Sequence, residues 1–217
     1  MSKMSKKKLG SLSLLLVLVA VLVAACGGST KNVDLGTTAK GTYSNEYFGV
    51  SLNFPEEWEY QDAETMNQLT SEVGEAIVGN DEKKKKQLDY AQTKTLNLLM
   101  ASQYPIGGEQ TGSSVMAIAE KLSMLQGIKT GKDYLEASKK FMVESQLPYE
   151  YKDIVSTTVG GKDFDMMEVT IKAGEMTVTQ HYYSTILEGY AFNLITTYMD
   201  DETKKTTDDV IGSVTFK

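Results

Sequence analysis

His181 is the single histidine of this 217-residue chain and the one side chain with an ordinary pKa suited to general-base work near neutrality. A nucleophilic triad would need it beside an activated serine or cysteine and an orienting acid. No Gly-x-Ser-x-Gly elbow occurs, and the sole cysteine, Cys26, lies far away in a leader-like segment. One histidine without further cysteines also cannot build a usual zinc site. Carboxylates cluster as Asp200-Asp201-Glu202, Asp208-Asp209, Asp163-x-Asp165 and Asp81-Glu82. Calcium takes about six to eight oxygens from a sharply turning loop, and the spacing of such a loop is absent. Asp200 to Glu202 sits where a helix should begin, so capping and dipole compensation account for it. Tyr182, Tyr183, Tyr190 and Tyr198 crowd two successive strands. They read as cross-strand packing or as a ligand platform that offers area and hydroxyls together. The glycine pairs at 107–108 and 160–161 lack phosphate-loop spacing and read as turns. These residues lead us to expect no catalytic centre, no metal and no cofactor.

Cys26 carries a different chemistry. Four lysines within residues 1–8 precede an apolar run from Leu9 to Ala25, and Gly27-Gly28-Ser29-Thr30 follows the cysteine. A basic start, an apolar middle and a small-residue exit are the parts of a secretory signal. The run of 17 residues is shorter than the roughly 20 needed to span a bilayer. Leu22-Val23-Ala24-Ala25-Cys26 resembles a bacterial lipobox. The resemblance implies cleavage between Ala25 and Cys26 and a diacylglyceryl group on the Cys26 sulfur. Two or more acyl chains give stable attachment where one does not, at about 0.8 kcal/mol per buried methylene.

Removing residues 1–25 leaves 18 lysines against 29 acidic residues, a net charge of −11. Such a polyanion is a poor partner for nucleic acid and is repelled by anionic lipid. All basic residues are lysine, so planar bidentate recognition of phosphate or carboxylate by arginine is excluded. The run Lys83 to Lys86 follows Asp81 and Glu82 and reads as a solvated face; contact with anionic lipid or wall polymer is the alternative.

The elements that must position these groups follow from periodicity. Gly27 to Thr42 is rich in Gly, Ser and Thr and reads as a flexible linker. Phe48, Val50, Leu52 and Phe54 alternate with small or polar residues, the period of a half-buried strand that pairs with Tyr43–Tyr47. Asp62 caps a helix with apolar residues at helical spacing to Ile77, and Asp81–Tyr90 adds a second helical piece. Strands are expected at 95–104 and 114–123, then a helix from a Thr130 cap to about Gln146. A meander follows over 150–158, 164–173, 176–187 and 190–199, with a helix at 201–213 and a short closing strand at 214–217. Consecutive hairpins need antiparallel pairing, and the helices need a face to cover. The fold class is therefore α+β, an antiparallel β-sheet with helices packed on it. One globular domain over 43–217 is expected, behind a signal peptide (1–25) and a lipidated cysteine with linker (26–42).

The segment Tyr43-Ser44-Asn45-Glu46-Tyr47-Phe48-Gly49-Val50-Ser51-Leu52-Asn53-Phe54-Pro55-Glu56-Glu57-Trp58 resembles the opening of the PsbP-like family, in which a Tyr/Gly-containing hairpin leads to a Pro and then a Trp. Gly189-Tyr190-Ala191-Phe192 through Phe216 is similar to its closing strand, helix and short strand. The resemblance implies an α/β/α sandwich and carries no catalytic residue over. The resulting expectation is a membrane-anchored extracytoplasmic lipoprotein of a bacterial cell, acting as a non-catalytic binding or interaction module. Its partners would be the membrane, through the anchor, and a protein, glycan or small molecule. The alternatives are a cell-envelope hydrolase and a structural or assembly factor.

Overall fold

The computed structural model describes residues 33–66, 82, 93–106, 110–123, 126–144, 149–173 and 176–217. Twelve strands and two helices are defined there: β1 (Thr37–Ala39), β2 (Thr42–Asn45), β3 (Val50–Asn53), β4 (Glu59–Gln61), β5 (Thr95–Ser102), β6 (Ser114–Lys121), α1 (Gly131–Glu144), β7 (Tyr149–Tyr151), β8 (Val155–Val159), β9 (Lys162–Ala173), β10 (Met176–Leu187), β11 (Tyr190–Tyr198), α2 (Asp201–Gly212) and β12 (Thr215–Phe216). The larger sheet runs β4-β5-β6-β11-β10-β9, with β7 and β8 both on the outer edge of β9. The smaller sheet runs β1-β2-β3-β12. Every pairing is antiparallel.

Period-two alternation gives the larger sheet two different apolar faces. Val115, Ala117 and Ala119 of β6, with Phe192 and Leu194 of β11, meet Tyr43, Val50 and Leu52 of the smaller sheet and Val210 of α2. On the other face, Met116, Ile118, Met167, Tyr182 and Ile195 meet Leu135 and Met142 of α1. All nine residues of β11 are buried, as a central strand covered on both faces requires. The architecture is thus an α+β sandwich, with the larger sheet between α1 on one side and the smaller sheet with α2 on the other.

Local chemistry fixes the helix ends. Thr130 Oγ1 accepts from the Asp133 amide at 3.1 Å, and Asp133 Oδ2 accepts from the Thr130 amide at 2.9 Å, a reciprocal cap on α1. Asp200 and Thr203 make the same exchange at the start of α2. Gly131 lies so close to β10 that an added Cβ would overlap the Ser184 carbonyl oxygen, so the glycine is what lets α1 descend onto the sheet. Among the described residues, no helix is long and apolar enough to cross a membrane.

Three features differ from the sequence reading. Residues 37–39, within the expected linker, form β1, and Val33 and Leu35 pack on the core, so the ordered chain starts before Tyr43. Their apolar content is too low to announce a strand; pairing with β2 creates it. The strand expected over 150–158 is broken into β7 and β8 by residues 152–154. β4 was not expected, because three residues give too short a pattern to show a period. Asp62 does cap a first helical turn, its Oδ1 accepting from the Thr65 amide at 2.9 Å. The rest of that helix, all of 81–90 except Glu82, and the residues Ala25 and Cys26 lie outside the described residues.

Candidate functional site

Strands β9, β10 and β11 lie side by side, and their register places Glu168 opposite His181 and His181 opposite Thr196. Period two then carries His181 and Tyr183 to the face of the sheet that α2 covers, with Glu168 and Tyr198 beside them. His181 Nδ1 is 3.2 Å from Tyr183 Oη. Its Nε2 is 3.2 Å from Glu168 Oε2 and 3.0 Å from Tyr198 Oη. Glu168 Oε1 in turn receives the Lys152 ammonium at 2.8 Å. With the proton on Nε2, the imidazole donates to the carboxylate and Nδ1 accepts from the Tyr183 hydroxyl, which satisfies both ring nitrogens in the neutral form.

Burial pushes the His181 pKa below its ordinary value, and the hydrogen bond and charge of Glu168 only partly oppose this. Burial raises the Glu168 carboxyl, but the Lys152 and His181 hydrogen bonds and charges outweigh it, and the carboxyl stays below the usual range. Both phenols are pushed up to about 12, chiefly by burial. They therefore remain protonated at neutral pH and serve as hydrogen-bonding partners, not as nucleophiles. The arrangement is a carboxylate–imidazole–phenol chain, closed around its histidine and reaching solvent mainly through the partly exposed Glu168.

The four tyrosines of the sequence reading do not share one surface. Tyr183 and Tyr198 meet through His181. Tyr182 passes to the opposite face, where its hydroxyl donates to Gln180 Oε1 at 2.7 Å. Tyr190 sits at the far end of β11, edge-to-face with Phe48 at 5.5 Å. The acidic runs are placed separately as well. Asp200 caps α2, Asp208 and Asp209 pair with Lys204 and Lys205, and Asp165 Oδ2 accepts from the Lys132 amide at the start of α1. Among the described residues, no group of three or more potential ligands is placed to hold a metal ion.

A second buried polar centre escaped the sequence reading. Glu120, near the end of β6, is 2% exposed and accepts from the Tyr134 hydroxyl of α1 at 2.9 Å. Burial pushes its carboxyl up to about 8, against the hydrogen bond from Tyr134 and the charge of Lys94. The signal was present in the run Val115-Met116-Ala117-Ile118-Ala119-Glu120, where an acid falls in phase with Met116 and Ile118.

A larger antiparallel sheet with α1 on one face and the smaller sheet and α2 on the other defines the class of protein, an α+β sandwich. No family model and no curated protein matches the chain. Among solved structures it is similar to the cyanobacterial PsbP (CyanoP) of Synechocystis, at 13% identity and a TM-score of 0.48, over 90% of this chain and 99% of that one. It is also similar to LpqN, a protein involved in cell envelope biogenesis of Mycobacterium tuberculosis, at 11% identity and a TM-score of 0.43, over 77% and 83% of the two chains. A Bacteroides thetaiotaomicron protein matches 78% of this chain at 12% identity and a TM-score of 0.40, and this chain spans 45% of that protein. A cyanobacterial PsbP is thus among the structural neighbours of a chain whose residues 43–58 resemble the PsbP-like opening.

Proposed function

We propose that this chain is a lipid-anchored extracytoplasmic lipoprotein whose domain works as a non-catalytic interaction module on the outer face of a bacterial cell membrane. The observation that carries the reading is the leader ending in Leu22-Val23-Ala24-Ala25-Cys26, with basic residues before it and small residues after. The closed geometry of His181 supports the second half of it. Both ring nitrogens are occupied by phenols and a carboxylate, and the phenols are poor nucleophiles with pKa values raised to about 12. A hydrolase would need the same histidine to face a substrate and an activated nucleophile.

Labelled palmitate and membrane fractionation test the anchor. Wild-type chain should incorporate label and sediment with membranes, and Cys26→Ser should do neither. A Cys26→Ser chain that stays tightly membrane-bound would refute the anchor. For the module, affinity capture with the lipidated chain should return the same partner reproducibly. Turnover of a cell-wall or lipid substrate that disappears in His181→Ala would overturn the non-catalytic reading.

A further inference from the structure

One end of the domain gathers the point where the chain comes in and a small aromatic and lysine surface. Asn45 Nδ2 donates to the Asp34 carbonyl at 2.9 Å, and the Tyr43 hydroxyl donates to the Leu35 carbonyl at 3.0 Å. These bonds hold residues 34–35 beside the turn between β2 and β3. The exposed Tyr47 on that turn meets Phe48 edge-to-face at 4.9 Å and Tyr190 at 6.1 Å. Lys121 stands 4.2 Å from the centre of the Tyr190 ring, and the Glu188-Gly189 turn lies alongside. Lys162 reaches toward Phe216, whose strand pairs with β3 at Val50. Acidic residues Asp34, Glu46, Asp163 and Glu188 are interleaved with these lysines.

The opposite end is different. There β11 runs out at Tyr198 into Asp200, Asp201 and Glu202, and β4 follows Glu56 and Glu57 and begins with Glu59. Lys40 pairs with Glu56 at 3.6 Å, and Lys204 and Lys205, which follow on α2, are each paired with an acid of their own, Asp208 and Asp209. The nine residues of β11 separate the two ends by about 30 Å at the rise of an extended strand.

Six residues lie between Cys26 and Val33, so seven Cα–Cα steps join them. Fully extended they reach about 25 Å, and as a flexible coil about 15 Å. We propose that the end bearing Tyr47, Lys121 and Lys162 docks on the phospholipid headgroup layer, with the acidic end turned away from the membrane. This rests on the lipoprotein reading. A tether shorter than the domain holds the near end at the surface. Repulsion between anionic headgroups and Glu56, Glu57, Glu59 and Asp200 to Glu202 disfavours the inverted pose. Tyrosine and lysine suit a headgroup layer, where one end of the side chain is apolar and the other wet.

The lipidated full chain in vesicles of phosphatidylcholine and phosphatidylglycerol, doped with a lipid carrying a headgroup nitroxide, tests the orientation. Acylation blocks Cys26, so a thiol-reactive fluorophore labels a single introduced cysteine. Glu46→Cys and Tyr47→Cys mark the near end, and Glu57→Cys and Glu202→Cys mark the far end; all four positions are exposed. Glu46→Cys keeps Tyr47 in place should the other near-end variant perturb the turn. The expected result is loss of fluorescence at 46 and 47 with intensity at 57 and 202 unchanged. Equal quenching at both ends in vesicle-bound protein, or stronger quenching at 57 and 202, overturns the docking while leaving the anchor standing. A chain that fails to float with the vesicles overturns the anchor and the docking together.

Discussion

Glu120 gives the sharpest test of how the sheet and α1 are joined. Its carboxyl ionises near 4.5 in an unfolded chain and near 8 in the folded one, with burial as the largest cause. Between those values the folded state holds a proton that the unfolded state has released. Stability therefore falls as pH rises, at roughly 1.4 kcal/mol per pH unit at its steepest. Across the whole interval the loss amounts to about 5 kcal/mol, a large share of the stability of a domain this size. Glu120→Gln keeps an oxygen for the Tyr134 hydroxyl and removes the titration. His181 works in the opposite direction. Its lowered folded pKa makes stability rise with pH until the unfolded-state value near 6.5 is passed. The difference between wild type and Glu120→Gln cancels that contribution, and the interval from 6.5 to 8 is free of it. Urea unfolding followed by the buried Trp58, the single tryptophan, reads the effect. The wild-type midpoint should fall from pH 6.5 to 8, and from pH 5 to 8 it should fall steadily relative to that of Glu120→Gln, which overtakes it. A wild-type midpoint that stays level between pH 6.5 and 8, or an equal slope in the variant, would refute the reasoning.

Three further outcomes are expected. Gly131→Ala sets a Cβ against the Ser184 carbonyl group, with its carbon at 2.7 Å, so α1 must lift off β10. Denaturation should show a loss of about 1–3 kcal/mol, the usual range for overpacking. Glu188 holds φ at 50° in a tight hairpin turn beside Gly189, a conformation asparagine adopts more readily. Glu188→Asn should thus raise the melting temperature, by the equivalent of about 0.5–1 kcal/mol. The single histidine gives one imidazole titration by nuclear magnetic resonance, with a pKa below the ordinary 6.5. Glu168→Gln removes the group that opposes the shift, so the value should drop further, and an increase would count against the assigned hydrogen bond.

What could be read from the residues was whatever local sequence decides. The hairpin of β10 and β11 announces itself by two long runs with a Glu-Gly turn, and α2 by the acidic run Asp200 to Glu202 at its start. The alternation at Phe48 to Phe54 likewise located β3. Strands made by their neighbours were invisible. β1 and β4 carry three residues each and exist because β2 and β5 offer them a ladder. The site divided along the same line. His181 was visible as a lone imidazole in phase with Tyr183, whereas Glu168 and Tyr198 join it only through the registers on either side of β10. Tyr182 and Tyr183 are adjacent in sequence, and the pleat sends them to opposite faces.

The break at residues 152–154 has a consequence for how copies of this domain could meet. Confinement to a plane brings copies together edge to edge, the circumstance in which an open strand recruits another and sheets polymerise. Here one rim of the larger sheet ends in three-residue β4. The other is cut between β7 and β8, where Lys152 turns in to Glu168 and interrupts the row of free peptide groups. Among the described residues, β4, β7 and β8 are each only three to five residues long. Copies brought together in this way meet at described rims that are short or interrupted.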